Sequence, residues 1–509
     1  MKIFITTTVL REKHGGKTRA LLSRAKMLAE SGYDVTVVAS RYVGAIDDVK
    51  RFYLEQGYIS DGVKLRDVFE EYRKGGNVSA PSVRNDYRSY VRSRAGGRPP
   101  LFRALLPTGS RVVRLRSGKY SLTFTKRGRF LSSIMRVDVT PDDESETSET
   151  LFCDPRGMIR RTVLTDTATG AKVGESYYGE DGAKYASMEY ERAGKRKALP
   201  KSVSIFTGEG AVTYASYKKF LKDRFDSIFA DGDIVINDSR VLDWPLLNMN
   251  KKVRCVFQIH NSHLSDPSDA GSDTEKSHRL LLGSELSERD RIVVLTVAQR
   301  DMIAERHPNV RGNLVVIRHP AKDVTVSRKV KAGNISFVSR LERQKDPASA
   351  MRAFALIADD RPDATLHIYG DGELEDELKA LNRELGLEGR ILFEGFTTDA
   401  DRVFQESVFS ILTSAYEGFG LVLLESLSNG CPFISYDTMF GPSEIADDSC
   451  ARIVPQGDLG AFADAMLAEL DEPHSRKAAV ARSKEFSRGE WREQWIGLIE
   501  ARAKGGDAV

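Results

Sequence analysis

The chain has 509 residues, enough for roughly two or three domains with sizeable cores. Hydrophobic residues make up 41% and charged residues 29%, a balance typical of water-soluble globular proteins that excludes a fibrous or largely disordered chain. The formal net charge of +3 is small for this length, so overall charge indicates no class of partner.

The cysteines and the start of the chain predict a cytoplasmic protein. The four cysteines include no CxxC pair, and their spacing from the histidines does not match a zinc site, so we expect reduced thiols. They are Cys153, Cys255, Cys431 and Cys450. The N-terminal MKIFITTTVLREKHGG has too short an apolar run for a signal peptide. No apolar run approaches the roughly 18 residues that a membrane-spanning helix needs. Peripheral contact with the inner face of the plasma membrane stays open.

The first elements along the chain alternate between strand and helix. KIFITTTVL is β-rich, HGGKT is a loop that contains Gly15 and Gly16, and RALLSRAKMLAESG has apolar residues at helical spacing. YDVTVVAS is the next strand. Helices that alternate with buried apolar strands indicate a parallel sheet of Rossmann type.

Alternating strands and tight glycine turns then replace this pattern. In each of four segments, a turn that contains glycine separates two stretches in which apolar and polar residues alternate. These segments are SLTFTKRGRFLSSIMRVDV, TLFCDPRGMIRRTVLTD, ESYYGEDGAKYASMEYE and SIFTGEGAVTYASY. The last two look like copies of one hairpin. We therefore predict an antiparallel β insertion within the first Rossmann domain.

A basic segment overlaps the start of this insertion. Between Arg84 and Arg129 there are 13 lysine or arginine residues and one acid, Asp86. Such a segment attracts phosphate-bearing polymers or anionic lipid headgroups. The alternative is a solvated loop whose positive charge is balanced by the nearby acidic run DDESETSE. Without a recognisable nucleic-acid-binding module, we expect no nucleic-acid partner. The candidate acceptor-binding residues of the segment are Arg111, Arg114 and Arg116.

The α/β pattern resumes after the insertion. Three segments are predicted strands of the first domain: DIVINDS, RCVFQIHN and RIVVLT. Five more are predicted strands of a second Rossmann-like domain: NISFVSR, ATLHIYG, RILFEGF, FSILTS and CPFISYD. HPAKDVTVSRKVKAG is the predicted linker, and the last helix is expected to pack back onto the first domain. The fold class is α/β, and ligands of such sheets bind at the carboxyl ends of the strands. The predicted ranges are 1–64 with 216–322 for the N-terminal domain, 65–215 for the insertion, 333–485 for the C-terminal domain and 486–509 for the last helix.

The most informative string is SAYEGFGLVLLESLSNGCP, at residues 414–432. A strand ends in a loop that carries Glu417, and a helix begins near Gly420. Free backbone N–H groups at the start of that helix can bind phosphate oxygens. Glu425 can accept hydrogen bonds from ribose hydroxyls, and Glu417 from the hydroxyls of a sugar. The alternative is an ordinary strand, loop and helix with two surface glutamates.

This string resembles the EX7E signature of family 4 retaining glycosyltransferases, whose GT-B architecture has two Rossmann-like domains facing across a cleft. FVSRLERQKDP resembles the family segment in which an arginine and a lysine, here Arg340 and Lys345, contact the donor diphosphate. Cations there neutralise the charge that builds on the leaving group. IYGDGELEDEL resembles the next element, in which Gly370 and Gly372 let the backbone approach the nucleotide.

The resemblance extends to other site residues. Gly15 and Gly16 resemble the glycine loop beside the diphosphate and acceptor. FQIHNSH offers His260 and His263 where the family has a histidine that faces the transferred sugar; we favour His260 and leave His263 open. The implied catalytic residues are Glu417, His260, Arg340 and Lys345. The implied donor-binding residues are Gly15, Gly16, Arg340, Lys345, Gly370, Phe396, Thr397, Phe419, Gly420, Leu421 and Glu425.

The N-terminal half narrows the resemblance to the poly(glycerol-phosphate) and poly(ribitol-phosphate) α-glycosyltransferases of wall teichoic acid synthesis. The accessory Sec glycosyltransferases share this plan. The resemblance implies transfer of glucose or N-acetylglucosamine from a UDP-sugar to an anionic polyol-phosphate polymer, and self-association through the insertion. Transfer to Ser or Thr of a secreted adhesin, or a non-catalytic GT-B partner subunit, are the alternatives. Because no DxD motif ends a strand, we expect no required metal or other cofactor.

Overall fold

The computed structural model describes residues 2–11, 16–44, 46–74, 111–117, 120–126, 135–141, 147–154, 158–191 and 200–503. From 111 to 141 the description covers the backbone of the strands alone. The chain divides into two compact units, Met1–Arg254 and Cys255–Val509.

The first unit contains parallel strands in the order β13-β1-β2-β3. Every residue of β1 after Lys2 is buried, as expected of a strand covered on both faces. These strands are β1 (Lys2–Thr7), β2 (Asp34–Ala39), β3 (Val63–Asp67) and β13 (Ile234–Asn237). The accompanying helices are α1 (Gly16–Glu30), α2 (Ile46–Glu55), α3 (Glu70–Lys74), α4 (Tyr217–Ile228) and α5 (Asp243–Leu247).

An antiparallel sheet lies between β3 and β13 in the sequence. Each of its strands pairs with its neighbours along the chain, so the sheet is a meander. All four predicted hairpins are confirmed. The strands are β4 (Arg111–Ser117), β5 (Tyr120–Lys126), β6 (Met135–Pro141), β7 (Thr147–Cys153), β8 (Ile159–Asp166), β9 (Lys172–Tyr178), β10 (Lys184–Tyr190), β11 (Pro200–Thr207) and β12 (Gly210–Tyr214).

Aromatic contacts join this meander to the helices of the first unit. Phe69 stacks on Tyr177 of β9 with ring centroids 5.3 Å apart, and on Phe220 of α4 at 5.2 Å. Because β3 runs to Asp67, the parallel sheet extends past residue 65, where the insertion was predicted to begin. The predicted domain boundaries otherwise stay predictions.

The second unit contains two groups of parallel strands. The first consists of β14 (Arg254–Gln258), β15 (Arg291–Val294) and β16 (Leu314–Val316). The second is a sheet in the order β19-β18-β17-β20-β21-β22. Its strands are β17 (Asn334–Val338), β18 (Thr365–Tyr369), β19 (Ile391–Gly395), β20 (Phe409–Leu412), β21 (Phe433–Tyr436) and β22 (Ala451–Val454). The prediction of α/β fold class is confirmed, although the sequence analysis missed β22.

Helices alternate with these strands and cover the buried apolar side chains of the larger sheet. They are α6 (Lys276–Leu282), α7 (Val297–Arg306), α8 (Pro347–Ile357), α9 (Glu375–Glu384), α10 (Ala400–Glu406), α11 (Leu421–Ser428), α12 (Pro442–Ile445), α13 (Leu459–Asp471), α14 (Arg476–Lys484) and α15 (Arg488–Ala503). Short 3-10 turns cover Arg240–Leu242, Pro308–Asn313 and Arg343–Lys345. None of the described helices is long and apolar enough to cross a membrane.

Candidate active site

Two loops of the second unit meet where β17 and β20 end. The backbone N–H of Ala415 donates to the carbonyl of Gln344 at 2.8 Å, and the side-chain amide of Gln344 donates to the Tyr416 carbonyl at 3.1 Å. Thr413, at the end of β20, donates to the carbonyl of Asp346 at 2.7 Å. These hydrogen bonds fix the loop after β20 against the turn that carries the predicted diphosphate-binding lysine.

Lys345 and Glu417 form an ion pair in this contact. The Lys345 Nζ lies 2.5 Å from Glu417 Oε1, and Ser414 Oγ donates to the same carboxylate oxygen at 2.7 Å. The side chains are 15% and 7% exposed, so the pair is largely shielded from water. A cation and a carboxylate that the sequence separates by 72 positions therefore form one site.

A left-handed residue sets the path of the chain after Lys345. Asp346 has φ 41° and ψ 57°, an uncommon conformation for a residue other than glycine. Its side chain accepts a hydrogen bond from the backbone N–H of Ser349 and so caps α8. The capped helix anchors one end of the turn that carries Lys345.

Arg340 follows β17 and has an exposed side chain. Its guanidinium lies 2.5 Å from the Glu342 carboxylate, a partner on its own loop. Gly370 and Gly372, which follow β18, pack so tightly on this loop that an added Cβ would overlap the carbonyl oxygens of Ser339 and Leu341. The two glycines therefore allow neighbouring strand ends to approach each other closely.

The two candidate histidines have different environments. His263 is fully buried, packs on the Phe440 ring with centroids 5.9 Å apart, and has a pKa that burial lowers to about 3. His260 is half-buried, and its carbonyl oxygen lies against Gly418 so closely that a Cβ there would overlap it. Of the two candidates, His260 is the one whose backbone lies against Gly418 of the loop carrying Glu417.

The sequence analysis missed His319, which it placed in the linker. The His319 ring stacks on His260 with centroids 5.9 Å apart and an interplanar angle of 14°. The ring also contacts the edge of Phe419, at 5.7 Å and 70°. The available signal was the apolar run LVVI directly before RHP, because the carboxyl end of a parallel strand places polar residues at the ligand-binding edge.

Helix α11 begins beside this cluster. Gly420, its N-cap, has φ 89°, and Phe419 is buried. Leu421 is the first residue of the helix, so its N–H is among those that lack a partner within the helix. The predicted phosphate-binding helix start is therefore present, directly after Glu417 and its glycines.

Glu425, within α11, is half-buried and pairs with Lys322 at 3.3 Å. Lys322 also lies 3.4 Å from Asp401. The sequence analysis placed Lys322 in the linker too, because nothing local indicates a partner about 100 positions away. The carboxylate predicted to bind ribose thus has a neighbouring cation that ribose hydroxyls would have to share or displace.

Replacing Glu425 with alanine is expected to weaken UDP binding roughly tenfold or more, because charge-assisted hydrogen bonds to ribose are lost. Calorimetric titration with UDP measures the change. Glu375→Ala, on α9, serves as the control: it removes a carboxylate that also pairs with a lysine and whose side chain is 40% exposed, against 29% for Glu425. Equal UDP affinities for wild type and Glu425→Ala would remove the ribose assignment.

Two further predicted donor residues follow β19. Phe396 is 66% exposed, which is unusual for a large aromatic side chain. Thr397 Oγ1 accepts a hydrogen bond from the N–H of Asp399 at 3.1 Å. An exposed ring at the carboxyl end of a parallel strand is available for stacking on a nucleotide base.

The remaining predicted residues belong to the first unit. Gly16 begins α1, whereas Gly15 lies outside the described residues. Arg111, Arg114 and Arg116 lie on β4, and their side chains also lie outside the described part.

A buried polar network follows β13 in the same unit. Arg24 of α1 pairs with Asp238 at 2.6 Å, and Asn237 donates to Asp243 at 2.7 Å. Burial raises the pKa of the Asp243 carboxyl to about 7.

The arrangement in the second unit suits transfer chemistry at a diphosphate. Lys345, the exposed Arg340 and the N–H groups at the start of α11 supply positive charge, and Glu417 supplies an acceptor for hydroxyls. Such groups stabilise charge that develops on a departing phosphate oxygen. Among the residues that the structure describes, no group of three or more His, Cys, Asp or Glu side chains is arranged to hold a metal ion.

Part of this chain is similar in sequence to known proteins. Residues 324–486 match the family model described as glycosyl transferases group 1. The chain is 32% identical over 174 residues to the poly(glycerol-phosphate) alpha-glucosyltransferase of Bacillus subtilis (strain 168), a match that covers 33% of this chain and 25% of that relative. It is 22% identical over 515 residues to the poly(ribitol-phosphate) alpha-N-acetylglucosaminyltransferase of Staphylococcus aureus (strain COL), which covers 98% of this chain and 100% of that relative.

A solved structure has a similar fold. The crystal structure of a mutant S. aureus TarM in complex with Fondaparinux, alpha-GlcNAc-glycerol and UDP has a TM-score of 0.80 at 18% identity. The likeness covers 98% of this chain and 100% of that chain. The insertion and both parallel sheets are therefore features of a known architecture.

Proposed function

We propose, from the match of residues 324–486 to group 1 glycosyl transferases, that this protein is a retaining glycosyltransferase of the GT-B architecture. It moves glucose or N-acetylglucosamine from a UDP-sugar to a hydroxyl of a polyol-phosphate polymer and forms an α linkage. The observation that carries the proposal is the shielded pair of Lys345 and Glu417 beside the start of α11. Relatives named for poly(glycerol-phosphate) and poly(ribitol-phosphate) support the class of acceptor.

The reaction proceeds by front-face attack. The acceptor hydroxyl oxygen bonds to the anomeric carbon on the face from which the diphosphate leaves, and the bond from that carbon to the diphosphate oxygen breaks. The hydroxyl proton passes to the departing diphosphate. Lys345, Arg340 and the α11 N–H groups stabilise the diphosphate charge, while Glu417 and His260 orient the sugar.

The test combines donor hydrolysis with acceptor transfer. UDP-glucose and UDP-N-acetylglucosamine are screened for hydrolysis, followed by transfer to poly(glycerol phosphate), poly(ribitol phosphate) and a Ser-rich peptide. We expect transfer to one of the polymers and an α anomeric proton signal by NMR. Transfer to the peptide alone would replace the polymer with a protein acceptor, and the absence of both hydrolysis and transfer would favour a non-catalytic partner.

Activity is expected to survive chelation. We expect the cations of the site to stabilise the diphosphate without a metal ion, since no DxD motif ends a predicted strand. Transfer rates are measured before and after dialysis against EDTA. A loss of activity that magnesium or manganese restores would contradict this prediction.

The antiparallel meander is proposed as the surface through which the protein forms a homo-oligomer, such as a trimer. A meander exposes the unpaired backbone groups of its edge strands, and a second copy can cover them. Light scattering on the full chain and on a variant with residues 111–214 replaced by a short linker tests the proposal. We expect an oligomer that the deletion converts to a monomer. A monomeric full-length protein, or an oligomer unchanged by the deletion, would contradict it.

The basic segment from Arg84 to Arg129 is proposed to contact the anionic acceptor. Peripheral attachment at the cytoplasmic face of the membrane is a second proposed use of the same charge. Reversing the charge at Arg111, Arg114 and Arg116 should raise the acceptor KM and leave UDP-sugar hydrolysis unchanged.

A further inference from the structure

Four rings of the second unit pack in series beside the candidate active site. The His260 ring, which follows β14, stacks on His319 with centroids 5.9 Å apart and an interplanar angle of 14°. His319 contacts the edge of Phe419 at 5.7 Å and 70°, and Phe419 contacts the edge of Phe486 at 6.2 Å and 67°. All three separations lie within the roughly 4.5–7 Å at which aromatic rings attract each other. We call these four rings the ring column.

The ring column is fixed at its buried end. His319, Phe419 and Phe486 are each at most 7% exposed, whereas His260 is half-buried. The backbone N–H of Ala321 donates to the Phe486 carbonyl at 2.7 Å, which holds the segment that carries His319. Because protein interiors are close-packed, the three buried rings leave the fourth little freedom to turn. His260 is therefore the accessible end of the ring column.

The backbone and the ring of His260 are held by different contacts. The loop that carries Glu417 fixes the backbone, because Gly418 packs directly on the His260 carbonyl oxygen. That contact does not determine how the imidazole is turned about its side-chain bonds. The stack on His319 does, since a change of rotamer would break the nearly parallel contact. A side chain that is oriented before its substrate arrives loses less rotamer freedom on binding.

We propose that His319 is a positioning residue of glycosyl transfer, which holds the His260 ring in the orientation that faces the transferred sugar. The proposal rests on the proposed function, because His260 is assigned to the sugar there. His319 acts through His260 rather than on the sugar itself, and it supplies the flat face of a ring. The substitution His319→Phe keeps such a face, whereas His319→Ala removes it.

The experiment compares His319→Ala with His319→Phe. UDP-glucose and UDP-N-acetylglucosamine are the donors, and poly(glycerol phosphate) and poly(ribitol phosphate) are the acceptors. We expect His319→Ala to lower the single-turnover transfer rate roughly tenfold, because the sugar is less well oriented for attack. The affinity for UDP, which lacks the sugar, should change little. His319→Phe should retain most of the wild-type rate.

His474→Ala is the matched control for loss of a histidine ring. The His474 side chain is 15% exposed, and Glu469 and the Asp448 carbonyl hold it between α13 and α14. Thermal unfolding is followed for every variant. We expect His474→Ala to lower the unfolding midpoint and to leave the transfer rate of the folded protein unchanged. A loss of transfer in His319→Ala that exceeds its loss in His474→Ala is then not a general effect of destabilisation.

A double-mutant cycle with His260→Ala separates a positioning residue from one that acts independently. If His319 acts through His260, adding His319→Ala to His260→Ala should lower transfer by less than about twofold further. Losses that multiply in the double variant would overturn the proposal. A wild-type rate in His319→Ala, or an equal loss in His319→Ala and His319→Phe, would overturn it too.

The wild-type protein distinguishes this proposal from the proposed function. Any of the three contradicting results, obtained while the wild-type protein glycosylates a polymer, removes the role of His319 and leaves the proposed function in place. A wild-type protein that neither hydrolyses the donors nor glycosylates the polymers would overturn both.

Discussion

Replacing Lys345 with alanine is expected to reduce hexose transfer by about two orders of magnitude or more, since one charge that stabilises the leaving diphosphate disappears. The substitution has a second consequence. The Glu417 side chain is 7% exposed, and its carboxylate would remain shielded from water without the cation that pairs with it. Both the departing diphosphate and the carboxylate that orients the sugar would therefore be affected.

Single-turnover transfer with the preferred UDP-sugar measures this effect. Lys379→Ala, which removes a lysine paired with Glu375 on α9, is the matched control and should leave the rate unchanged. Arg340→Ala is expected to lose as much activity as Lys345→Ala, although its exposed side chain should make it nearly neutral in thermal stability. Near-normal turnover in both Lys345→Ala and Arg340→Ala would refute their assignment to the diphosphate.

Replacing Gly418 with alanine should lower transfer by roughly two orders of magnitude without touching any charged group. The new methyl group would overlap the carbonyl oxygen of His260 and approach the Cα of Asn261. The overlap is with backbone, so the loop carrying Glu417 must move away from the end of β14. A displacement of about 1 Å in a positioning group can cost on the order of a hundredfold in rate.

Gly497→Ala is the matched control for this prediction. Gly497 lies within α15, and no atom would lie within 4 Å of a Cβ added there. We expect this variant to retain full activity, because alanine also favours the helix. The kcat and the UDP affinity of both variants are measured. A lower kcat at unchanged UDP affinity would indicate a displaced loop, whereas a lower UDP affinity would indicate a lost nucleotide site. Full activity in Gly418→Ala would show that the close approach to His260 is not needed for transfer.

The sequence predicted those parts of the site that short patterns encode. The strand, loop and helix around Glu417 and Glu425 could be placed because hydrophobic periodicity and glycines mark each boundary. The ion pair of Lys345 with Glu417 could not, because it joins loops from different strand ends. Long-range contacts of this kind leave no local signal.

The same reason explains the missed residues. His319 and Lys322 occur in a polar segment without periodicity, so a linker was the natural interpretation. Their partners, His260 on one side of the sequence and Glu425 on the other, become neighbours only in the folded chain. The four hairpins of the insertion, by contrast, were predicted correctly because each consists of alternating residues around its own turn.

The meander also affects the order in which the chain folds. β1 pairs with β13, and the hydrogen bond from Thr6 to Asn237 joins residues 231 positions apart. Every pairing in the meander joins neighbours along the chain, so it lowers contact order and can form early. Because a chain emerges from the ribosome N-terminus first, we expect the meander to pair before β13 is available to β1. Early compaction of the insertion shortens the flexible loop that the β1–β13 pairing must close and so reduces its entropic cost.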